Sequence, residues 1–186
     1  IMIRSIIAYG NPVLRKVSSD IDKNYPDIQQ LIADMFETMY ASDGVGLAAP
    51  QIGLSIRLFV IDATPFVEDY PEAKNFKKVF INPHVIEESG DEWLFNEGCL
   101  SFPGIHEDVS RKSNVKIKYL DENFVEHTDT FSGVCARVVQ HEYDHLDGKC
   151  FIDRLSMLKR KMLSSKLSNI EKGKVHPRYK IKFFKP

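Results

Sequence analysis

Little in this 186-residue sequence points toward a membrane, an oxidising compartment or a fibre. No apolar run approaches the about 18 residues needed to cross a bilayer, so no membrane partner is expected. Only three cysteines occur, Cys99, Cys135 and Cys150, an odd number that fits reduced thiols better than a disulfide framework. The N-terminus, Ile1-Met2-Ile3-Arg4, lacks the basic region, apolar stretch and cleavage site of a secretory leader, so a cytoplasmic location is expected. No Gly/Ser linker, internal repeat or low-complexity tract breaks the chain, and one domain over residues 1–186 is expected. At 43% hydrophobic residues the chain can bury a real core without staples, which excludes disorder.

Net charge is also nearly absent, at −1, but that value hides a split. Residues 154–186 hold eleven basic residues and one acidic one, Glu171, for +10; residues 1–153 therefore carry −11. A basic tail on an acidic body raises a polyanionic partner for the tail alone.

What is present reads as short strands around helices. Ile28, Leu31, Ile32, Met35, Phe36 and Met39 recur at helical spacing, which predicts a helix from Pro26 to about Ser42. Asp43 to Gln51 is rich in breakers and small residues and is expected to be a loop or extended segment that a ligand can approach closely. Leu58–Ile61 reads as a buried strand, and Val79–Ile81 with Val85-Ile86 as a second one broken at Pro83. Residues 63 to 77 read as a polar surface loop between them. Trp93–Phe95, Val115–Tyr119 and Phe124–Phe131 predict further strands, with a hairpin turn at Asp121–Asn123. A helix buried on most sides follows Ser132-Gly133, and another is expected from about Ser156 to Glu171, its apolar set being Met157, Leu158, Met162, Leu163, Leu167 and Ile170. Tyr179 to Phe184 alternates like a strand. The class is α+β.

The strongest chemical signal is His141-Glu142-Tyr143-Asp144-His145 in the buried helix. Histidines four apart project side by side and can share one metal, while Glu142 is turned aside, well placed to face a water on it. The bland alternative is two surface histidines in a solvated charge run. A metal needs a third ligand. His84, His127 and His176 stand isolated in polar surroundings, Cys135 lies on another face of the helix, and Cys150 suits the core. Cys99, in Asn96-Glu97-Gly98-Cys99-Leu100-Ser101, is the better candidate because a loop there can present a thiolate and bare N–H groups. By itself it fits a plain buried thiol at least as well. Ligand type alone points to zinc.

Three segments together resemble the peptide deformylase family: Gly44-Val45-Gly46-Leu47-Ala48-Ala49-Pro50-Gln51, Glu97-Gly98-Cys99-Leu100-Ser101 and Gln140-His141-Glu142-Tyr143-Asp144-His145-Leu146. The resemblance implies antiparallel sheets around a central metal-binding helix, with a C-terminal helix. It implies hydrolysis of the N-formyl group from the initiator methionine of nascent chains. Cys99, His141 and His145 would bind one divalent metal, Fe²⁺ natively, with Zn²⁺, Ni²⁺ or Co²⁺ as substitutes. Glu142 would be the general base, with the Gln51 amide and the Leu100 N–H as oxyanion donors. Val45 and Gly46 would pair with an extended peptide, and Val45, Val138 and the His141 ring would receive the methionine side chain, although Val138 reads equally well as core. Glu97 and Arg111 would pair behind the metal and steady the Cys99 loop, against the alternative of an exposed ion pair. His106 departs from the pattern, standing where many bacterial members have arginine, as does Gly104 where some have a carboxylate. The segment Asp62–Lys78 is longer than in the shortest members and is expected to reshape the rim of the pocket.

Two other readings compete. A zinc metalloprotease would explain the His-Glu-x-x-His pattern but leave the other two motifs without a task. A non-catalytic binder of N-terminal methionine peptides would not need Glu142 or Gln51. For the tail, the resemblance implies docking of the C-terminal helix at the ribosome, which Lys159, Arg160, Lys161 and Lys166 would serve by contacting ribosomal RNA phosphates, against the alternative of a merely solvated face. No catalytic motif falls after residue 154, so catalysis is expected not to need that segment.

Overall fold

Every residue of Leu58-Phe59-Val60-Ile61 is buried because its strand is covered on both faces: Leu58 and Val60 join one apolar cluster, Phe59 and Ile61 another. The computed structural model describes residues 1–186 in full. In chain order its elements are β1 (Ile6–Ile7), α1 (Ile28–Ala41), β2 (Gly46–Ala48), β3 (Leu58–Asp62), β4 (Lys77–Gly98), β5 (His106–Leu120), β6 (Glu126–Ser132), α2 (Gly133–Leu146), α3 (Met157–Met162), α4 (Ser164–Glu171) and β7 (Ile181–Lys182). Strands β2-β3-β4-β5-β6 form one antiparallel sheet in that order, and β1 pairs with β7 in a separate parallel pair. The fold is α+β, as expected. No helix is long and apolar enough to cross a membrane.

Helix α1 covers one face of the sheet, packing Leu31, Ile32, Met35 and Met39 against Leu58, Val60, Val79 and Ile81. It ends where the Gly44 N–H bonds back to the Met39 carbonyl at 2.9 Å, with Asp43 in the left-handed region at φ 57°. Helix α2 covers the other face, with Val134, Ala136 and Val139 on Phe59, Ile61, Phe80, Val115 and Ile117. Every α2 residue except Gly133 and Tyr143 is buried. Each fully buried Val, Leu, Ile or Phe contributes about 1.5–3 kcal/mol, so the sheet and α1 hold the helix that carries His141 and His145. A third cluster joins Phe102, Ile105 and Val109 to Phe151, Ile152, Leu155, Leu163 and Ile170.

The structure corrects several local expectations. Pro83 does not break its strand: β4 runs unbroken from Lys77 to Gly98, taking in Trp93–Phe95. Register shifts against β5 at Ile81/His84 and Val85/Glu87 absorb the missing N–H. The Pro83 carbonyl is taken by the Arg57 guanidinium at 3.1 and 3.2 Å. The hairpin turn extends to Phe124, at φ 59°, so β6 starts only at Glu126. Residues 63 to 77 are more than a surface loop. Two short 3-10 turns there bury Ala63, Ala73 and Phe76, and the Glu72 carboxylate accepts the Val134 N–H at 3.0 Å. That contact caps the start of α2, which its own Ser132 side chain leaves uncapped.

The last helix divides at Leu163 into α3 and α4 without any Pro or Gly to mark the break. Leu163 and Ile170 are buried and Leu167 is half-buried, but Met157, Leu158 and Met162 are each about 70% exposed, so half of the expected apolar face meets solvent. The end of the chain packs on the body. The Ile6 N–H bonds the Lys180 carbonyl at 2.9 Å and the Ala8 N–H the Lys182 carbonyl at 3.0 Å.

Candidate metal centre and active site

Folding brings together side chains 42 to 46 residues apart in sequence. The loop after β4 carries Cys99 to the face of α2 where His141 and His145 project, and one donor atom from each lies within 4.8 Å of the others. Cys99 Sγ is 3.4 Å from His145 Nε2. The two imidazoles stand nearly edge to face, 5.4 Å between centroids. Burial, then the charge on His141, pushes His145 down to about 3, which leaves it neutral and able to donate a lone pair to a metal. His141 moves the other way. Burial opposes its charge, but the Cys99 thiol and the Glu97 carboxylate outweigh burial and raise it. Its Nδ1 is 2.8 Å from Glu97 Oε1, which turns Nε2 toward the same point as the thiol. The Cys135 thiol donates to the Glu72 carbonyl at 3.3 Å and Cys150 lies in the third cluster; neither belongs to the convergent set, as expected.

One thiol and two imidazoles would suit a borderline-soft divalent metal. The orphaned polar atom beside them agrees. Glu142 is 4% exposed, its Oε1 has no hydrogen-bond partner, and burial pushes its carboxyl up to about 7. Its Oε2 lies 3.9 Å from His141 Nε2. Gly46 on β2 makes room for it, since a Cβ at that position would sit 2.7 Å from Glu142 Oε2. The donor set and this pre-placed carboxylate fit a bound metal.

Gln51 and Leu100 flank the same point. The Ala48 N–H donates to Gln51 Oε1 at 3.0 Å, which fixes the amide with Nε2 toward Ser101 Oγ at 3.2 Å and Cys99 Sγ at 3.4 Å. The Leu100 N–H makes no hydrogen bond to another backbone group. Val45 and Gly46 lie at the free edge of the sheet, because β2 is its outermost strand. Val138 both lines the cavity and belongs to the core.

Behind the metal point stands a buried ion network. Arg111 donates to both oxygens of Glu97, at 2.7 and 3.0 Å, and to Asp144 at 2.8 Å, with its side chain wholly excluded from solvent. The pair is not the exposed one of the alternative reading. Burial alone would raise Glu97, but His141 and Arg111 overcome that and hold it well below the usual carboxylate range.

Three members of this network were not among the expected residues. Arg137 donates to Glu97 Oε2 at 2.8 Å and to the Val109 and Trp93 carbonyls, while stacking 4.8 Å over Trp93. Asp144 accepts from Arg111 and, at 2.7 and 2.9 Å, from Arg154. A signal for Arg137 existed: it is a lone cation in an apolar run, four residues before His141 and on its face.

The cavity in front of these groups measures about 850 Å³. Val45, Phe66, Phe95, Val138 and the His141 ring form an apolar part, so the long 62–78 segment does reach the rim, through Phe66. Phe66 and Phe95 meet edge to face at 5.8 Å. His106 also lines the cavity, close enough to Gly98 that a Cβ there would lie 2.5 Å from its Nδ1. The segment after residue 154, which catalysis was expected not to need, reaches the same cavity, where Val175, His176, Pro177 and Tyr179 form part of the lining.

Fold and site together, a thiol and two imidazoles beside a buried carboxylate, have the make-up of a metal-dependent hydrolase. The chain matches the polypeptide deformylase family over residues 3–161. It is 54% identical to the peptide deformylase of Christiangramia forsetii over 98% of this chain and 96% of that protein. It also resembles the crystal structure of the Legionella pneumophila peptide deformylase at 41% identity and a TM-score of 0.80, covering 92% of this chain and 97% of that one. The Thermotoga maritima peptide deformylase structure matches at 40% identity and a TM-score of 0.74, covering 84% and 99%. The chain belongs to the polypeptide deformylase family, metal-dependent hydrolases that remove N-formyl groups from nascent peptides.

Proposed function

We propose that this chain deformylates the initiator methionine as one domain, with Cys99, His141 and His145 holding a single divalent metal and Glu142 moving the proton. The supporting observation is the convergence of those three donors within 4.8 Å beside a buried, unpartnered Glu142 oxygen. A bound metal supplies Lewis-acid chemistry, making water a nucleophile near neutral pH. Glu142 accepts the proton of the attacking water and returns it to the departing amine. The Leu100 N–H and Gln51 Nε2 donate to the oxygen that gains charge, each worth on the order of 3 kcal/mol. Val45 and Gly46 bind the extended peptide through main-chain hydrogen bonds, which suits a site that meets many sequences. The methionine side chain fills the apolar part against Val45, Val138, Phe66, Phe95 and the His141 ring. Glu97 orients His141, and Arg111 and Arg137 hold Glu97.

Ferrous iron is the ion we expect natively, with zinc, nickel or cobalt as substitutes, and oxidation of a thiolate-bound open site makes anaerobic handling necessary. Anaerobic assay with metal analysis should find about one metal per chain, formate released from formyl-Met-Ala-Ser, and no cleavage of casein. Casein cleavage without formate would assign a metalloprotease instead, and neither activity would leave a binder of methionine peptides.

The natural setting we propose is the cytoplasm, with the enzyme docked at the ribosome. Lys159, Arg160, Lys161 and Lys166 are exposed on α3 and α4, and only Lys159 has an acidic partner, Glu107 at 3.3 Å. Because the tail lines the cavity, truncation would confuse docking with catalysis. Charge reversal of Arg160, Lys161 and Lys166 should weaken ribosome binding and flatten its salt dependence by about three unit charges, leaving formyl-peptide turnover unchanged.

A further inference from the structure

After α4 the chain lines the cavity through Val175, His176, Pro177 and Tyr179 before re-entering the body as β7. We infer that this segment, residues 175–179, is part of the active site, and that Tyr179 is a positioning residue holding the Leu100 main chain where its N–H meets the substrate's formyl oxygen. The inference rests on the deformylase reading above and deepens it.

Both ends of the segment are anchored. On one side Ile170 is buried in the third cluster, and Gly173 reverses the chain at φ +71° with the Phe183 ring 3.4 Å from where its Cβ would be. On the other, Lys180 and Lys182 are hydrogen-bonded to the first strand, and Ile181 packs against two apolar clusters. Between the anchors Val175, Pro177 and Tyr179 are half-buried and line the cavity together with the more exposed His176, while Lys174, Arg178 and Lys180 are exposed and do not line it. Anchors on both sides make this a wall rather than a loose end.

The wall is tied to the chemistry through one bond. Tyr179 Oη donates to the Leu100 carbonyl at 2.5 Å. The neighbouring carbonyls of the loop are held by other groups, Cys99 O by the Phe102 N–H and Ser101 O by the Tyr9 N–H, each at 2.9 Å. Tyr179 is therefore what fixes the middle residue, which lines the cavity and whose N–H bonds to no other backbone group. Donors at an oxyanion position act only when they are aimed before the charge appears, so a residue that fixes the Leu100 backbone controls rate without touching substrate.

The test is Tyr179→Phe, which keeps the ring and its packing and removes the donor, with Phe183→Leu as a variant that loosens the tail away from the site. For formyl-Met-Ala-Ser the expected result is a fall in kcat of about tenfold, with KM within about twofold, metal content unchanged and Tm within about 2 °C of the parent. Phe183→Leu should lower Tm while leaving kcat alone. In the zinc-loaded protein the amide resonances of residues 99–101 should move in Tyr179→Phe and not in Phe183→Leu. A Tyr179→Phe enzyme with kcat within twofold of the parent, or one changed only in KM, overturns the inference while the deformylase reading stands. Moved resonances in a protein that releases no formate would support the positioning contact and overturn the deformylase reading.

Discussion

Glu142→Ala is expected to keep its metal and lose about 10³-fold or more in kcat for formate release. The metal stays because Glu142 lies outside the convergent set of Cys99, His141 and His145. Turnover goes because no other group can replace it. Glu97 and Asp144, the nearest other carboxylates, are tied to arginines and held low, so neither takes up a proton near neutral pH. Glu142, wrapped by α2 and β2 with one oxygen unpaired, is poised to do so. Glu142→Gln, which preserves shape and fills the same space beside Gly46, should fall as far as Glu142→Ala; that result separates loss of the base from loss of packing. Metal analysis and steady-state kinetics on the same samples check both halves. Activity surviving within about tenfold would show that Glu142 is not the base.

The second large effect concerns stability. Arg111→Ala is expected to cost about 3–5 kcal/mol, because it leaves Glu97 and Asp144 buried with one fewer cation between them. For a chain of this length that corresponds to a Tm lowered by about 10 °C. Metal affinity should fall as well, by about 10- to 100-fold, since Glu97 loses the fork that holds it against His141. Arg111→Lys keeps the charge but lacks the planar fork whose three nitrogens reach the two Glu97 oxygens and Asp144, so an intermediate loss is expected. Calorimetry and a competitive chelator titration read the two effects separately. A variant with unchanged Tm and unchanged metal retention would show that Arg137 and Arg154 suffice to neutralise the cluster.

Much of this molecule was legible because it is local. Helical spacing marked α1 and α2 to within a few residues, and four-residue spacing placed the two histidines side by side. Where local rules failed, a tertiary partner had changed the balance. Pro83 is a strand breaker, yet β4 passes through it because Arg57 takes its carbonyl and a register shift takes the slack. Residues 63 to 77 look polar, yet Ala63, Ala73 and Phe76 find cover under the sheet and α2. The split between α3 and α4 falls at Leu163, which is buried in the third cluster, and no residue preference announces it.

The sequence alone determined the chemistry available: two imidazoles and a carboxylate on one helix, a thiol in a glycine-flanked loop, and basic residues gathered in the last stretch of chain. Side-chain identity and short-range geometry suffice for that, since neither depends on distant contacts. Only the tertiary structure decided which of these groups meet. Cys99 reaches His145 across 46 residues, Gln51 reaches Cys99 across 48, and Tyr179 reaches Leu100 across 79. Such pairings depend on how the sheet, α2 and the returning tail pack their buried surfaces, a property of the whole chain rather than of any segment. For that reason the charge split at residue 154 describes where the basic residues lie, while the packed tail makes part of the same segment a wall of the active site.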